Sequence, residues 1–199
     1  MDKKQKWKVL LCALHGDNLV ITDEVLEQLV SISQEVTFHK QQMILNIGEK
    51  QRYVYLIVSG IARSYYIDNN GSDRTKMFIH ENEFLIGEAL FMDESLEVFE
   101  AIEELVCLQF DAIEIKKILM ENQELEKLYI SILEDTLRYK MRREYNFQCM
   151  NATQRYLEFK KTYPYIEKRI PQNLIASYLG IAKESLSRIR KNISKINKC

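Results

Sequence analysis

At 199 residues, with 46% hydrophobic residues, 6 glycines and 2 prolines, the chain has the make-up of a globular protein of one large or two small domains, which excludes a disordered or fibrous chain. Its formal charge of −1 hides an uneven distribution, with 17 Lys and Arg against 26 Asp and Glu in residues 1–150 and 11 against 3 in residues 151–199. Only the C-terminal part is suited to meet a polyanion, because an acidic surface repels one at short range.

Taken in chain order, the opening MDKKQKWKVLLCALHGD has an apolar stretch only from Val9 to Leu14, too short for a signal-peptide core or a membrane span. A cytoplasmic protein with no membrane partner is expected. The segment ITDEVLEQLVSIS reads as a helix opening at Thr22, with Val25, Leu29 and Ile32 on one side. From about Glu35 to Asp111, short apolar and aromatic runs are punctuated by Gly48-Glu49, Ser59-Gly60 and Asn69-Asn70-Gly71. No helical crossover separates them, so a β-barrel or jelly roll of about eight strands is expected. Cys107, in LVCLQF, reads as a buried strand residue.

Ile113 to Gln148 contains neither glycine nor proline and is rich in helix formers, which predicts one extended helix. Leu125, Leu128, Ile132, Thr136 and Tyr139 fall on one face, and Ile130, Leu133, Leu137 and Met141 on nearly the opposite one. Two apolar faces need two partners. One is expected to pack on the chain's own β-domain and the other on the same helix of a second subunit; Leu125, Leu128 and Ile132 are assigned to that homodimer contact. A helix from about Asn151 to Tyr163 follows, ended by Pro164, and a basic loop then delivers the chain to Pro171.

Gln172 to Ile189, QNLIASYLGIAKESLSRI, has the spacing of a helix-turn-helix. Ile175, Leu179, Ile181, Leu186 and Ile189 form a shared apolar seam, Ala176 is small where two helices approach, and Gly180 supplies the positive φ of a tight turn. Past the turn, Lys183, Glu184, Ser185, Ser187, Arg188, Arg190 and Lys191 point away from the seam, with side chains able to reach guanine edges and phosphates. These residues are the expected DNA-reading face. Lys168, Arg169 and Lys195 flank it as expected phosphate contacts.

Other chemistry finds little support. Cys12, Cys107, Cys149 and Cys199 include no CxxC pair, and His15, His39 and His80 no HxH pair. No GxSxG, HExxH or phosphate-cradling glycine loop occurs. The expectation is a protein that is not an enzyme, with no catalytic residue, no metal and no cofactor. Cys149 lies near the join between domains, where oxidation could matter.

Taken together, GEKQRYVYLIVSGIARSYYID, NEFLIGEALF and QNLIASYLGIAKESLSRIRK resemble, respectively, the first hairpins, the start of the phosphate-binding cassette and the helix-turn-helix of the Crp/Fnr family of bacterial transcription regulators. The resemblance implies an α+β chain: an N-terminal helix and cyclic-nucleotide-binding-like β-roll (1–115), a long dimerisation helix (116–148) and a helix-turn-helix DNA-binding domain (149–199). It implies a homodimer bound to palindromic double-stranded DNA, and admits RNA polymerase and an unidentified small-molecule effector as further partners. Matched through Gly180 and Leu186, the family's reading positions are Lys183, Glu184 and Arg188. The effector pocket would involve Gly87 and Glu88.

Two departures matter. Family members that bind cyclic nucleotides follow Gly-Glu with an Arg-Ser or Arg-Thr pair, whereas LFMDESLEVFEAIEE holds no basic residue and six acidic ones. A buried phosphate with carboxylates and no guanidinium nearby is disfavoured, so cyclic nucleotides are not expected to bind. The sequence also runs only about ten residues past Ile189, too few for the family's complete β-hairpin wing. The competing reading from another functional class is an effector-sensing protein whose C-terminal helical module binds a protein instead of DNA. Salt dependence separates the two, since phosphate contacts release counterions.

Overall fold

The computed structural model describes residues 22–87 and 93–196, beginning at Thr22, whose hydroxyl accepts from the Val25 amide at 3.4 Å. Helix α1 spans Asp23–Ile32 and buries Val25, Leu26 and Leu29. Among the described residues the strands are β1 Gln34–Phe38, β2 Met43–Leu45, β3 Tyr53–Ser59, β4 Ala62–Ile67, β5 Asp73–Ile79, β6 Phe84–Leu85, β7 Val98–Ala101 and β8 Leu105–Asp111. They form two four-stranded sheets, ordered β1-β8-β3-β6 and β2-β7-β4-β5. Strand β8 pairs antiparallel with both β1 and β3, and its Leu105, Cys107 and Leu108 are fully buried. Burial pushes the Cys107 thiol up to about 12, so it is inert packing.

The turns form where the breakers stand. Gly60 has φ 100°, and a Cβ there would lie 2.4 Å from the Glu104 carbonyl oxygen, so the β3–β4 turn excludes any larger residue.

The long helix departs from expectation. Asn122 takes an extended conformation, and its side chain accepts from the Glu124 and Leu125 amides at 3.1 and 3.0 Å. It ends α2, Ala112–Glu121, and starts α3, Gln123–Cys149. A side-chain oxygen competing for amides at a helix start breaks a run that propensity alone would continue.

The face assignment on α3 also needs correction. Leu125 and Leu128 are 1% and 3% exposed and belong to a core with α1, β3, β8 and α2, and Ile132 packs against that core. Leu125 and Leu128 are therefore used up within one chain, and Ile132 is partly so. Ile130, Leu133 and Leu137 on the other side are 48%, 38% and 59% exposed.

After α3 come α4 Ala152–Thr162, α5 Gln172–Leu179 and α6 Lys183–Ile196; no strand follows α6 among the described residues. Asn151 caps α4 through a reciprocal pair with Gln154, each bond 3.0 Å. The chain divides into two compact units, one of the described residues up to Ser64 with Phe78–Leu137, the other of Tyr65–Met77 with Arg138 onward. This division differs from the expected boundaries: α3 is shared at residue 137, and the β4–β5 hairpin tip joins the C-terminal helices. Among the described residues no helix is long and apolar enough to cross a membrane.

Candidate functional site

The helix-turn-helix forms by the local rules that its sequence encodes. Gly180 caps α5 at φ 66° and ψ 37°, and its amide donates to the Ser177 carbonyl at 3.1 Å. Ile175, Ala176, Leu179 and Leu186 are 0%, 3%, 1% and 0% exposed. The seam joins α5 to α6 and turns the remaining α6 positions outward.

Gly180 is also hemmed in from outside the motif. A Cβ there would meet Phe147 Cε1 at 2.9 Å. The Phe147 ring lies against two guanidinium groups, Arg143 at 4.9 Å and Arg155 at 5.2 Å. Those same arginines cap the end of α5: Arg143 Nη2 donates to the Tyr178 carbonyl at 3.1 Å and Arg155 Nε to the Leu179 carbonyl at 3.1 Å. Terminal helix carbonyls lack intrahelical donors and carry partial negative charge, so cations belong there. These supporting residues escaped the sequence reading, because nothing in their own spacing ties α3 and α4 to the turn.

On the outer side of α6, Lys183, Glu184, Ser187, Arg188 and Lys191 are exposed, and Ser185 is half-buried. Arg188 Nη2 donates to Ser185 Oγ at 3.2 Å, which holds the guanidinium along the helix. An open groove beside it is lined by Asn151, Thr153, Ser185, Arg188 and Asn192. Arg190 is placed differently: its guanidinium sits 3.8 Å from Glu167, which also accepts from the Tyr156 hydroxyl at 2.5 Å. It is half-buried against its own domain, so the structure does not group Arg190 with the free outer face. Burial and the Glu167 bond raise the Tyr156 phenol above its ordinary value, which keeps it a neutral donor. Lys168 and Arg169 are exposed on the loop before α5. The Lys195 side chain lies outside the described residues.

The expected effector pocket is described at Gly87, while Glu88 lies outside the described residues. The Gly87 amide donates to Gln51 Oε1 at 2.8 Å. A Cβ on Gly87 would meet Phe99 at 2.6 Å, Gln51 at 2.8 Å and Glu97 at 3.2 Å. Glu97 is fully buried and accepts from the fully buried Ser64 hydroxyl. Arg63 is bound to Glu100 at 2.6 Å. The chain's own side chains thus occupy the space that a side chain at position 87 would need, and among the described residues the Glu97 carboxyl is one of them. Among the described residues, no group of three His, Cys, Asp or Glu is placed to hold a metal ion.

Residues 35–122 match the cyclic nucleotide-binding domain family. Comparison with curated proteins finds no match. Among solved structures, the chain is similar to FixK2 from Bradyrhizobium japonicum, with a TM-score of 0.71 and 20% identity over 83% of this chain and 86% of that one. It is also similar to a CooA mutant from Carboxydothermus hydrogenoformans, with a TM-score of 0.70 and 16% identity over 94% and 84%. The chain has the Crp/Fnr fold. A third likeness is to CLP, described as a c-di-GMP responsive global regulator of Xanthomonas campestris, with a TM-score of 0.68 and 12% identity over 88% and 93%.

Proposed function

We propose that the chain is a transcription regulator that reads a palindromic DNA operator as a homodimer, with a β-roll sensor that does not take a cyclic nucleotide. The observation that carries the reading is the two-sidedness of α6: Leu186 is 0% exposed in the seam, while Glu184 and Arg188 are exposed on the opposite face and Lys183 is exposed at the start of the helix. Arg188 can donate to both guanine acceptors, Glu184 can accept from a cytosine amine, and Lys183 supplies a point charge without a fixed orientation. Pairing through the exposed Ile130, Leu133 and Leu137, with Met141 continuing the stripe, gives two reading helices for half-sites one DNA turn apart, roughly 34 Å.

The test is selection of bound sites from random DNA, followed by Arg188→Ala on the selected site. A loss of about 1–3 kcal/mol with relaxed preference at one base pair per half-site is expected. An unchanged affinity and preference in a folded variant overturns the assignment of the reading face.

A further inference from the structure

Among the described residues strand β5 is an outer strand of its sheet, and an edge strand presents a row of backbone groups with no neighbouring strand to pair them. Here side chains from the C-terminal helices take those groups. Ser177, on α5, accepts from the Thr75 amide at 2.9 Å and donates to the Asp73 carbonyl at 3.0 Å. Arg143, on α3, donates through Nη2 to the Thr75 carbonyl at 3.0 Å and to the Tyr178 carbonyl at 3.1 Å, so one guanidinium nitrogen bridges the hairpin and α5. The Arg143 guanidinium also lies 4.1 Å from the centre of the Tyr178 ring. Tyr139 donates to the Lys76 carbonyl and accepts from Tyr163, each at 3.3 Å. Thr75 is 2% exposed, so water cannot replace these partners, and a buried backbone group left without one is costly.

We propose that Ser177 and Arg143 are positioning residues: they clasp the 65–77 hairpin to the first helix of the helix-turn-helix and so fix how α6 is presented to DNA. The inference rests on the DNA-binding reading above. Neither residue lies on the outer face of α6. The clasp therefore acts on sequence reading through orientation, not through contact. Strands β4 and β5 continue as Ala62–Ser64 and Phe78–Ile79 into the sensor unit, so the clasped hairpin is continuous in sequence with that unit.

The experiment uses the full chain and a DNA site selected by it. Specific and random-sequence affinities, their salt slopes, and amide hydrogen exchange at Thr75 are measured for the wild type, Ser177→Ala, Ser177→Thr and Arg143→Met. For Ser177→Ala and Arg143→Met, affinity for the selected site is expected to fall about 5- to 150-fold, the usual span of a coupling between elements. Random-sequence affinity and salt slope stay unchanged, because no phosphate contact is removed. Thr75 exchange accelerates in both. Ser177→Thr keeps the hydroxyl and restores specific binding, a rescue that a general loss of packing would not show. Should Arg143→Met fail to fold, the milder Ser177 pair decides the matter alone. Wild-type affinity for the selected site in Ser177→Ala, or unchanged Thr75 exchange, overturns the proposal. A wild-type chain that selects no sequence overturns the DNA reading, and this inference with it, by a different and recognisable result.

Discussion

Replacing Gly180 by alanine tests the corner on which the reading module is built. Two costs add. At φ 66° an L-residue with a Cβ pays the left-handed penalty of about 1–2 kcal/mol. The new Cβ would also lie 2.9 Å from Phe147 Cε1, closer than such atoms pack, so the ring must move. That ring is held by the Arg143 and Arg155 guanidinium groups at 4.9 and 5.2 Å, contacts of about 0.5–1 kcal/mol each at exposed sites. Phe147 is 44% exposed and can swing outward, so only part of that second cost is expected, and the sum comes to about 2–3 kcal/mol. Urea denaturation at constant m-value measures it. In a Phe147→Ala background the clash is gone and Gly180→Ala should cost only the backbone part, leaving a coupling of about 1 kcal/mol between the two sites. A Gly180→Ala variant within 0.5 kcal/mol of the wild type, as is usual for innocuous surface changes, refutes the strain argument. An identical cost in both backgrounds refutes the role given to Phe147.

Leu128→Ala, at a site 3% exposed in the sensor core, should destabilise the chain by about 2–5 kcal/mol, whereas Leu137→Ala should leave unfolding of the subunit almost unchanged and weaken self-association in sedimentation; a mass independent of concentration in the wild type would remove the dimer. Titration calorimetry with millimolar cyclic AMP or cyclic GMP should give no saturable heat, because residues 90–104 hold no basic residue and the buried Glu97 carboxyl lies near Gly87; micromolar binding would overturn this. At the hairpin tip, Asp68 accepts from the Ser72 and Asn70 amides at 3.0 and 2.9 Å and from Arg74 at 2.8 Å, and these donors, the Ser72 amide first, hold its carboxyl below the ordinary 3.8. Its ionised form therefore supports the turn above pH 3.8, and that support is lost as pH falls through the lowered value; an NMR titration of the Ser72 amide with a midpoint at or above 3.8 would contradict this.

The sequence by itself determined the features set by rules spanning a few residues. Thr22 and Asn151 open helices because a short oxygen-bearing side chain captures amides two or three residues on. Gly180 turns because only its backbone takes that φ without strain, and the apolar spacing around it makes the seam whatever surrounds the motif. Periodicity likewise showed that α3 has two apolar faces. It could not say which one meets the chain's own sheet, since Leu125 and Ile130 are equally apolar and only packing distinguishes them. The break at Asn122 lay within reach of the same capping rule, but a run of strong helix formers on both sides masked it. Tertiary structure alone decided the rest: Arg190 turning to Glu167, Phe147 closing on Gly180, Glu97 lying beside Gly87, and residues 65–77 joining the C-terminal helices through Ser177 and Arg143. Each depends on groups separated in sequence being brought within about 3–5 Å, the range at which hydrogen bonds and cation–π contacts act, and no local pattern encodes that proximity.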